Sequence, residues 1–187
     1  MTRLVVITGA DASGKSTLAE VLRRPGVRLA TAWDAITQGF PADREAVQRY
    51  LVDLDPHART LFLAHAVRRG YDLALRESPE VILAVGWWYK YAVSEMALGG
   101  NADAVRHIFT DFPRPDAVVC LDLAPEVAAA RRPNPSLYEG GGKFLSLQRQ
   151  MRPLWRQLET AEGPWTHLDA TLPIEHLTLQ AEATLGL

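Results

Sequence analysis

The chain has 187 residues, of which 48% are hydrophobic and 22% are charged, and its formal net charge is -2. This composition predicts one soluble globular domain with a substantial core, and the small net charge gives no reason to expect a nucleic-acid or membrane partner. The single cysteine, Cys120, excludes an intrachain disulfide, and no signal peptide or membrane-spanning apolar run is recognised, so we expect a cytoplasmic protein.

A glycine-rich loop follows the first predicted strand, residues 4–7. Residues 9–17 read GADASGKST and fit the pattern G-x-x-x-x-G-K-[ST], and an amphipathic helix continues from them. Glycines in such a loop let backbone N–H groups turn inward, and the helix adds its positive N-terminal end, so the pattern predicts a polyphosphate cradle. Lys15 is expected to reach the β- and γ-phosphates and Ser16 to hold Mg²⁺. The predicted nucleotide contacts in this loop are Gly9, Asp11, Ala12, Ser13, Gly14, Lys15, Ser16 and Thr17.

A second strand is predicted over residues 27–33, ending at Asp34. The carboxyl ends of strands in an open α/β sheet face the ligand crevice, so Trp33 and Asp34 are candidate substrate-facing residues. Asp34 is either a general base or hydroxyl-binding carboxylate, or the cap of the next helix. A loop at residues 39–41 and a helix from about Asp43 follow.

A long helix over residues 56–76 and a third strand over residues 80–85 come next. Arg68 and Arg69 on the helix either bind anionic substrate groups or form a solvated face. Trp87 and Trp88 follow the third strand, and two interpretations of them remain open. They form a stacking wall for a base at the crevice, or they belong to the core or to a subunit contact.

The fourth strand is predicted over residues 115–123, and Asp122 near its end either influences Mg²⁺ through a water or is structural. A short helix reaches Arg131 and Arg132. A loop rich in proline and glycine follows, which we call the lid (residues 132–145). It is predicted either to close over the nucleotide and place Arg132 against the transferring phosphate, or to be a flexible connection.

A helix over residues 143–161, kinked or divided by Pro153, leads to a fifth strand over residues 165–168 and a last helix from Pro173. Strands that alternate with helices favour an α/β fold with a parallel sheet covered on both faces.

Several stretches match the pattern of a known family. They are Asp11 in the loop, residues 61–64, residues 115–126, residues 168–171 and, in part of the lid, Tyr138 and Glu139. With these stretches the chain resembles the thymidylate kinase family of P-loop kinases over nearly its whole length. The resemblance implies a P-loop kinase fold with a five-stranded core, ATP and Mg²⁺, adenine beside Ala170 and Arg131, and an acceptor nucleotide opposite the P-loop that Tyr138 helps to contact. Members are commonly dimers, which implies a homodimer.

The chain departs from the family where the acceptor phosphate is bound. Gly86 and Trp87 stand in place of an Asp-Arg pair, and Ala66 and Leu137 stand where further arginines are expected. Because Ala12 leaves the P-loop without an arginine, one of the arginines near the lid is expected to stabilise the transition-state charge: Arg131, Arg132, Arg149 or Arg152. The acceptor phosphate is then bound by Arg68, Arg69 or Lys90, or the acceptor carries no phosphate.

Three functional hypotheses follow. The leading one is ATP-dependent phosphoryl transfer to a nucleoside monophosphate, in particular a modified or atypical pyrimidine nucleotide. The alternative is a kinase of a hydroxyl group on a nucleoside or other small molecule, with Asp34 as base. The third is a nucleotide-binding protein whose acceptor site has degenerated. Convergence of basic side chains opposite the P-loop separates the first hypothesis from the second.

Overall fold

A computed structural model of the protein describes residues 1–34 and 44–187. The strands in these ranges are β1 (Arg3–Gly9), β2 (Val27–Ala30), β3 (Val81–Val85), β4 (Ala117–Asp122) and β5 (Thr166–Asp169). The α-helices whose bounds lie within these ranges are α1 (Lys15–Val21), α2 (Arg44–Asp53), α3 (Pro56–Leu75), α4 (Trp87–Ala97), α5 (Ala102–Ile108), α6 (Pro125–Arg131), α7 (Phe144–Glu162) and α8 (Ile174–Leu185). Within the described ranges, no helix combines the length and the apolar character needed to cross a membrane.

The five strands form one parallel sheet in the order β2-β3-β1-β4-β5. Side chains of β1 alternate between two cores, as the two-residue period of a strand requires. Leu4 and Val6 pack with α2, α3, α4, α5 and α7 on one face, whereas Val5 and Ile7 pack with α1 and α8 on the other. The predicted five-stranded parallel sheet of a P-loop kinase fold, covered on both faces, is confirmed. All five carboxyl ends lie at one edge, where β1 runs into the glycine-rich loop.

Two predicted elements need correction. The second strand ends at Ala30 rather than Trp33, and residues 32–34 are helical. The cause is a reciprocal pair of hydrogen bonds that starts a helix: the Thr31 N–H donates to the Asp34 carboxylate over 3.1 Å, and the Asp34 N–H donates to the Thr31 hydroxyl over 3.1 Å. The helix at Pro153 was predicted to be kinked or divided, and the division is wrong, because α7 runs through Pro153 as one element. The predicted loop at 39–41 and the helix start at Asp43 lie outside the described residues.

Candidate active site

The glycine-rich loop lies close against the neighbouring strand. Gly9 has φ +128°, and a Cβ there would be 2.5 Å from the carbonyl oxygen of Leu121 in β4, so only glycine fits. Gly14 has φ +94° and is the residue before α1, and Ala12 also has a positive φ of 61°. The loop therefore turns sharply twice and delivers the chain into α1, which is the geometry that a phosphate cradle needs.

Lys15, the first residue of α1, folds back over the loop. Its Nζ donates to the Ala10 carbonyl oxygen over 2.5 Å and lies 3.5 Å from the Ser13 hydroxyl. Burial lowers the pKa of Lys15 to about 8, although the carboxylate of Asp11 raises it. Ser16, the next residue, has an exposed side chain in the same pocket. A lysine ammonium and an exposed hydroxyl on the first turn fit a triphosphate with its Mg²⁺.

A second lysine lies beside the loop and pairs with one of its residues. The Nζ of Lys90, in the first turn of α4, lies 3.3 Å from the carboxylate of Asp11, and both side chains are 12% exposed. Burial opposes both charges, but the two lysines around Asp11 lower its pKa and the Asp11 carboxylate raises the pKa of Lys90, so both groups are charged at neutral pH. The Lys90 ammonium also lies 5.2 Å and 5.3 Å from the ring centres of Tyr91 and Tyr138.

These groups line one cavity of about 440 Å³, which we call the P-loop pocket. Its charges are four cations, from Lys15, Lys90, Arg131 and Arg132, against the carboxylates of Asp11 and Glu139. The remaining lining residues are Ala12, Gly14, Ser16, Thr17, Thr31, Trp33, Gln48, Val85, Gly86, Tyr91 and Tyr138. A pocket with a cationic surplus beside a phosphate cradle is suited to anionic ligands.

The lid is held by hydrogen bonds within the chain. The guanidinium of Arg132 donates to the Glu139 carboxylate at 2.8 Å and 3.0 Å, and the Ser136 N–H donates to the same carboxylate over 2.8 Å. These donors lower the pKa of Glu139 against the effect of burial. At the lid's start, the Arg131 guanidinium donates to the Ala170 carbonyl oxygen over 3.0 Å, which brings together the two residues that the resemblance places at adenine.

A buried polar network ties the lid to the helices beneath it. Glu95 in α4 is fully buried and accepts from the Arg59 Nε over 2.7 Å and from the Tyr138 hydroxyl over 3.0 Å. Burial raises the pKa of Glu95 above its usual range although Arg59 and Tyr138 both lower it. Sequence reasoning missed Arg59 and Glu95. The signal was present, since each is a charged residue at an otherwise apolar face of its helix.

Asp34, Arg68 and Arg69 do not line the P-loop pocket. Asp34 is exposed, and its carboxylate accepts the Thr31 N–H described above, which supports the structural interpretation of Asp34 at the start of the helix. Arg68 is exposed and pairs with Asp72 at 3.0 Å one turn along α3. Neither arginine is brought to the phosphate loop.

Of the two interpretations of Trp87 and Trp88, the structure supports the core rather than the stacking wall, because both side chains are buried, 2% and 5% exposed. The Trp87 ring packs edge-on against Tyr71 and Phe112, and the Trp88 ring stacks on Phe109. Gly86 and Trp87 have φ values of +82° and +47°, and this left-handed turn swings the indoles away from the strand end.

Asp122 and Ser16 do not share a pocket, so the structure does not bring the two predicted metal contacts together. The Asp122 carboxylate faces His167 in β5, 2.9 Å from its Nδ1. Of the other lid-flanking arginines, Arg149 pairs with Glu126 on α6 and Arg152 lines a different cavity. Arg131 and Arg132 are therefore the arginines from this group that reach the P-loop pocket.

Curated relatives of this chain are named thymidylate kinase or probable thymidylate kinase. A probable thymidylate kinase of Sulfolobus acidocaldarius is 27% identical over 138 residues, which are 70% of this chain and 69% of that protein. The thymidylate kinase of Caenorhabditis elegans is 31% identical over 146 residues, or 68% of this chain and 66% of that protein. A probable thymidylate kinase of Sulfurisphaera tokodaii is 25% identical over 183 residues and covers 95% of this chain and 93% of its own. No model of a protein family matches the chain.

Proposed function

The chain belongs to the thymidylate kinase-like family of P-loop kinases, and on that basis we propose that it transfers the terminal phosphoryl group of ATP to a nucleoside monophosphate. The observation that carries the proposal is Lys90, a largely buried and charged lysine that lines the P-loop pocket and pairs with Asp11 of the loop. Four basic side chains, Lys15, Lys90, Arg131 and Arg132, line this pocket, which favours an acceptor that carries a phosphate over one that offers only a hydroxyl group.

On the donor side, the chain supplies backbone donors and one ammonium. The N–H groups of the loop and the Lys15 ammonium bind the β- and γ-phosphates, and the Ser16 hydroxyl holds Mg²⁺. The ion, when bound with ATP, neutralises charge that develops on the transferred group. We assign adenine to the Arg131–Ala170 contact, since a guanidinium plane beside a backbone turn offers a flat surface and a carbonyl oxygen.

On the acceptor side, Lys90 replaces the charge that Gly86 and Trp87 do not provide. Lys90 lies four residues after Gly86, and its N–H donates to the Gly86 carbonyl oxygen over 3.1 Å, so both residues share one face of α4. That face lines the pocket while Trp87 and Trp88 are in the core. The acceptor phosphate would thus meet an ammonium one helical turn beyond the strand end.

In the reaction, an oxygen of the acceptor phosphate attacks the γ-phosphorus, and the bond to the β-phosphate oxygen breaks to release ADP. Arg132 is the lid residue best placed to meet the developing negative charge, because it lines the pocket and is oriented by its three hydrogen bonds to Glu139. Trp33 and Gln48 lie in the same pocket and offer a planar surface and an amide for a base. The changed acceptor side supports an atypical pyrimidine nucleotide as substrate.

The test is a substrate panel with matched lysine variants. Purified protein with Mg·ATP is offered nucleosides and nucleoside monophosphates, including modified pyrimidines, and both ADP and the mass of the acceptor product are measured. Loss of one charged hydrogen bond of about 1.5–3 kcal/mol predicts that Lys90→Met raises the KM for a monophosphate about 10- to 150-fold. Lys143→Met is the control, because Lys143 is the remaining lysine of the chain besides Lys15 and is exposed.

The outcomes separate the hypotheses. Transfer to a monophosphate that weakens in Lys90→Met and not in Lys143→Met supports the proposal. Transfer only to unphosphorylated hydroxyl groups overturns it in favour of a nucleoside or small-molecule kinase. ATP binding without transfer to any acceptor overturns it in favour of a nucleotide-binding protein. The single-domain organisation with a lid, the homodimer and the cytoplasmic location stay predictions.

A further inference from the structure

A second cavity, of about 490 Å³, lies at the ends of β4 and β5 under α7. Cys120, Asp122, Glu159 and His167 all line it, and none of them contributes to the P-loop pocket. We propose that Cys120, Asp122 and His167 form a binding site for a zinc-class divalent cation, Zn²⁺ or its analogue Co²⁺.

The sheet register brings the three side chains together. Cys120 in β4 is the register partner of His167 in β5, and Asp122 follows Cys120 by two residues. Residues two apart on a strand face the same side, and register partners of neighbouring strands are adjacent, so all three project toward α7. One ligand atom from each, a sulfur, a nitrogen and an oxygen, lies within 4.8 Å of both others.

The nitrogen-to-oxygen distance is close to that of a tetrahedral site. With metal bonds of about 2.0–2.2 Å to nitrogen and oxygen, the two ligand atoms stand about 3.3 Å apart. The Nδ1 of His167 and the Oδ2 of Asp122 are 2.9 Å apart, so an ion enters between them with a side-chain movement of a few tenths of an ångström. Cys120 is buried but lines the cavity, and its thiol proton leaves to solvent when the sulfur binds.

Glu159 supplies the orientation that metal-bound imidazoles have. Its Oε1 lies 2.8 Å from the Nε2 of His167, the ring nitrogen that faces away from Asp122. A carboxylate on the distal nitrogen holds the ring in place and fixes the proton there, which leaves Nδ1 as the ligand. Sequence distance hides this arrangement, since Glu159 comes from α7 and the other residues from two strands.

The donor set selects the class of cation. Thiolate and imidazole favour zinc and its neighbours, whereas Mg²⁺ prefers an all-oxygen shell. Three protein ligands leave a fourth position of the tetrahedron, and it opens on the cavity, where water or a small ligand completes it. The donor set of this site differs from the oxygen ligands expected for the Mg²⁺ of ATP.

Cobalt absorption provides the test. Nucleotide-free full-length protein is titrated with CoCl₂ and followed for the thiolate-to-cobalt charge-transfer band in the near ultraviolet. Because Cys120 is the single cysteine of the chain, any such band reports this residue. We expect one equivalent to bind, the band to disappear on addition of ZnCl₂, and an excess of MgCl₂ to leave it unchanged.

Variants locate the site. Cys120→Ser and His167→Gln are expected to abolish the band, and Glu159→Gln to weaken cobalt affinity about 10- to 100-fold, the usual cost of losing such an orienting carboxylate. His176→Gln, an exposed histidine on α8, is the control that keeps full affinity. His167 is partly exposed, so its variant tests the site even if Cys120→Ser fails to fold. No band in the native chain, or a band that survives in His167→Gln, overturns the proposal.

Discussion

Replacing Arg59 by methionine is expected to destabilise the protein by about 3–5 kcal/mol at neutral pH, the cost of breaking a buried ion pair. Glu95 is 0% exposed, and its carboxylate accepts from the Arg59 Nε at 2.7 Å. Without the guanidinium, the charge stays buried with the Tyr138 hydroxyl as its donor. Against a total stability of about 5–15 kcal/mol, the loss is a large fraction, and it corresponds to a fall in Tm of about 6–20 °C.

The loss depends on pH, and its sign follows from Glu95. Burial raises the folded-state pKa of this carboxyl above the unfolded value, so the folded protein binds more protons and stability falls as the pH rises through the folded pKa. Removing Arg59 takes away the cation that lowers this pKa, and the pKa rises further. The variant is therefore expected to lose more stability relative to the native chain at neutral pH than in mild acid.

Urea denaturation followed by tryptophan fluorescence across this pH range measures the effect. The matched control is Arg106→Met, which removes an exposed pair with Asp103 at 2.7 Å and is expected to cost less than about 1 kcal/mol. The double replacement Arg59→Met with Glu95→Met is expected to recover much of the loss, because no uncompensated charge remains. Equal losses in Arg59→Met and Arg106→Met, or a loss that does not change with pH, would refute the reasoning.

Two further predictions concern the P-loop and the packing beneath it. The pKa of about 8 for Lys15 predicts that ATP binds with proton uptake near pH 8 and that the Kd for ATP increases at higher pH. Calorimetry in buffers of different ionisation enthalpy measures the uptake, and Lys15→Met should show none. A Kd that stays constant as the pH rises contradicts the prediction. Gly70→Ala would place a Cβ against the Thr31 carbonyl oxygen and is expected to lower the free energy of unfolding by about 1–3 kcal/mol. Gly142→Ala is the control, because the space around Gly142 is open and its Tm should be nearly unchanged. Equal Tm values for the two variants would contradict the prediction.

The sheet and the phosphate loop could be predicted from the sequence because their signals are local. A short apolar run before GADASGKST fixes a strand, a loop and a helix in sequence order, and the positive φ values of Gly9 and Gly14 agree with the glycines of the pattern. The end of the second strand was harder. Residues 27–33 have a strand-like composition, yet the Thr31–Asp34 hydrogen bonds start a helix after Ala30. Strand propensities do not include such side-chain hydrogen bonds to the backbone, so they overestimate the length of the strand.

The aromatic run after β3 shows where local signals stop. Sequence places residues 86–91 at the carboxyl edge of the sheet but does not say which side of the new helix faces the pocket. The left-handed turn at Gly86 and Trp87 decides it. Gly86 and Lys90 then share the pocket face at the four-residue helical spacing, and both tryptophans point into the core. Counting one helical turn from Gly86 would therefore have predicted Lys90 as the pocket-facing residue.

The position of Lys90 also explains how the pocket keeps a buried cation before any nucleotide arrives. Desolvation disfavours the ammonium, and the Asp11 carboxylate and the rings of Tyr91 and Tyr138 compensate. Asp11 is in turn shared with Lys15 on the donor side, so one carboxylate holds both lysines charged. A phosphate on either side competes with Asp11 for a cation that is already charged and in place. Binding therefore requires an exchange of partners rather than the ordering of a flexible chain, which favours affinity.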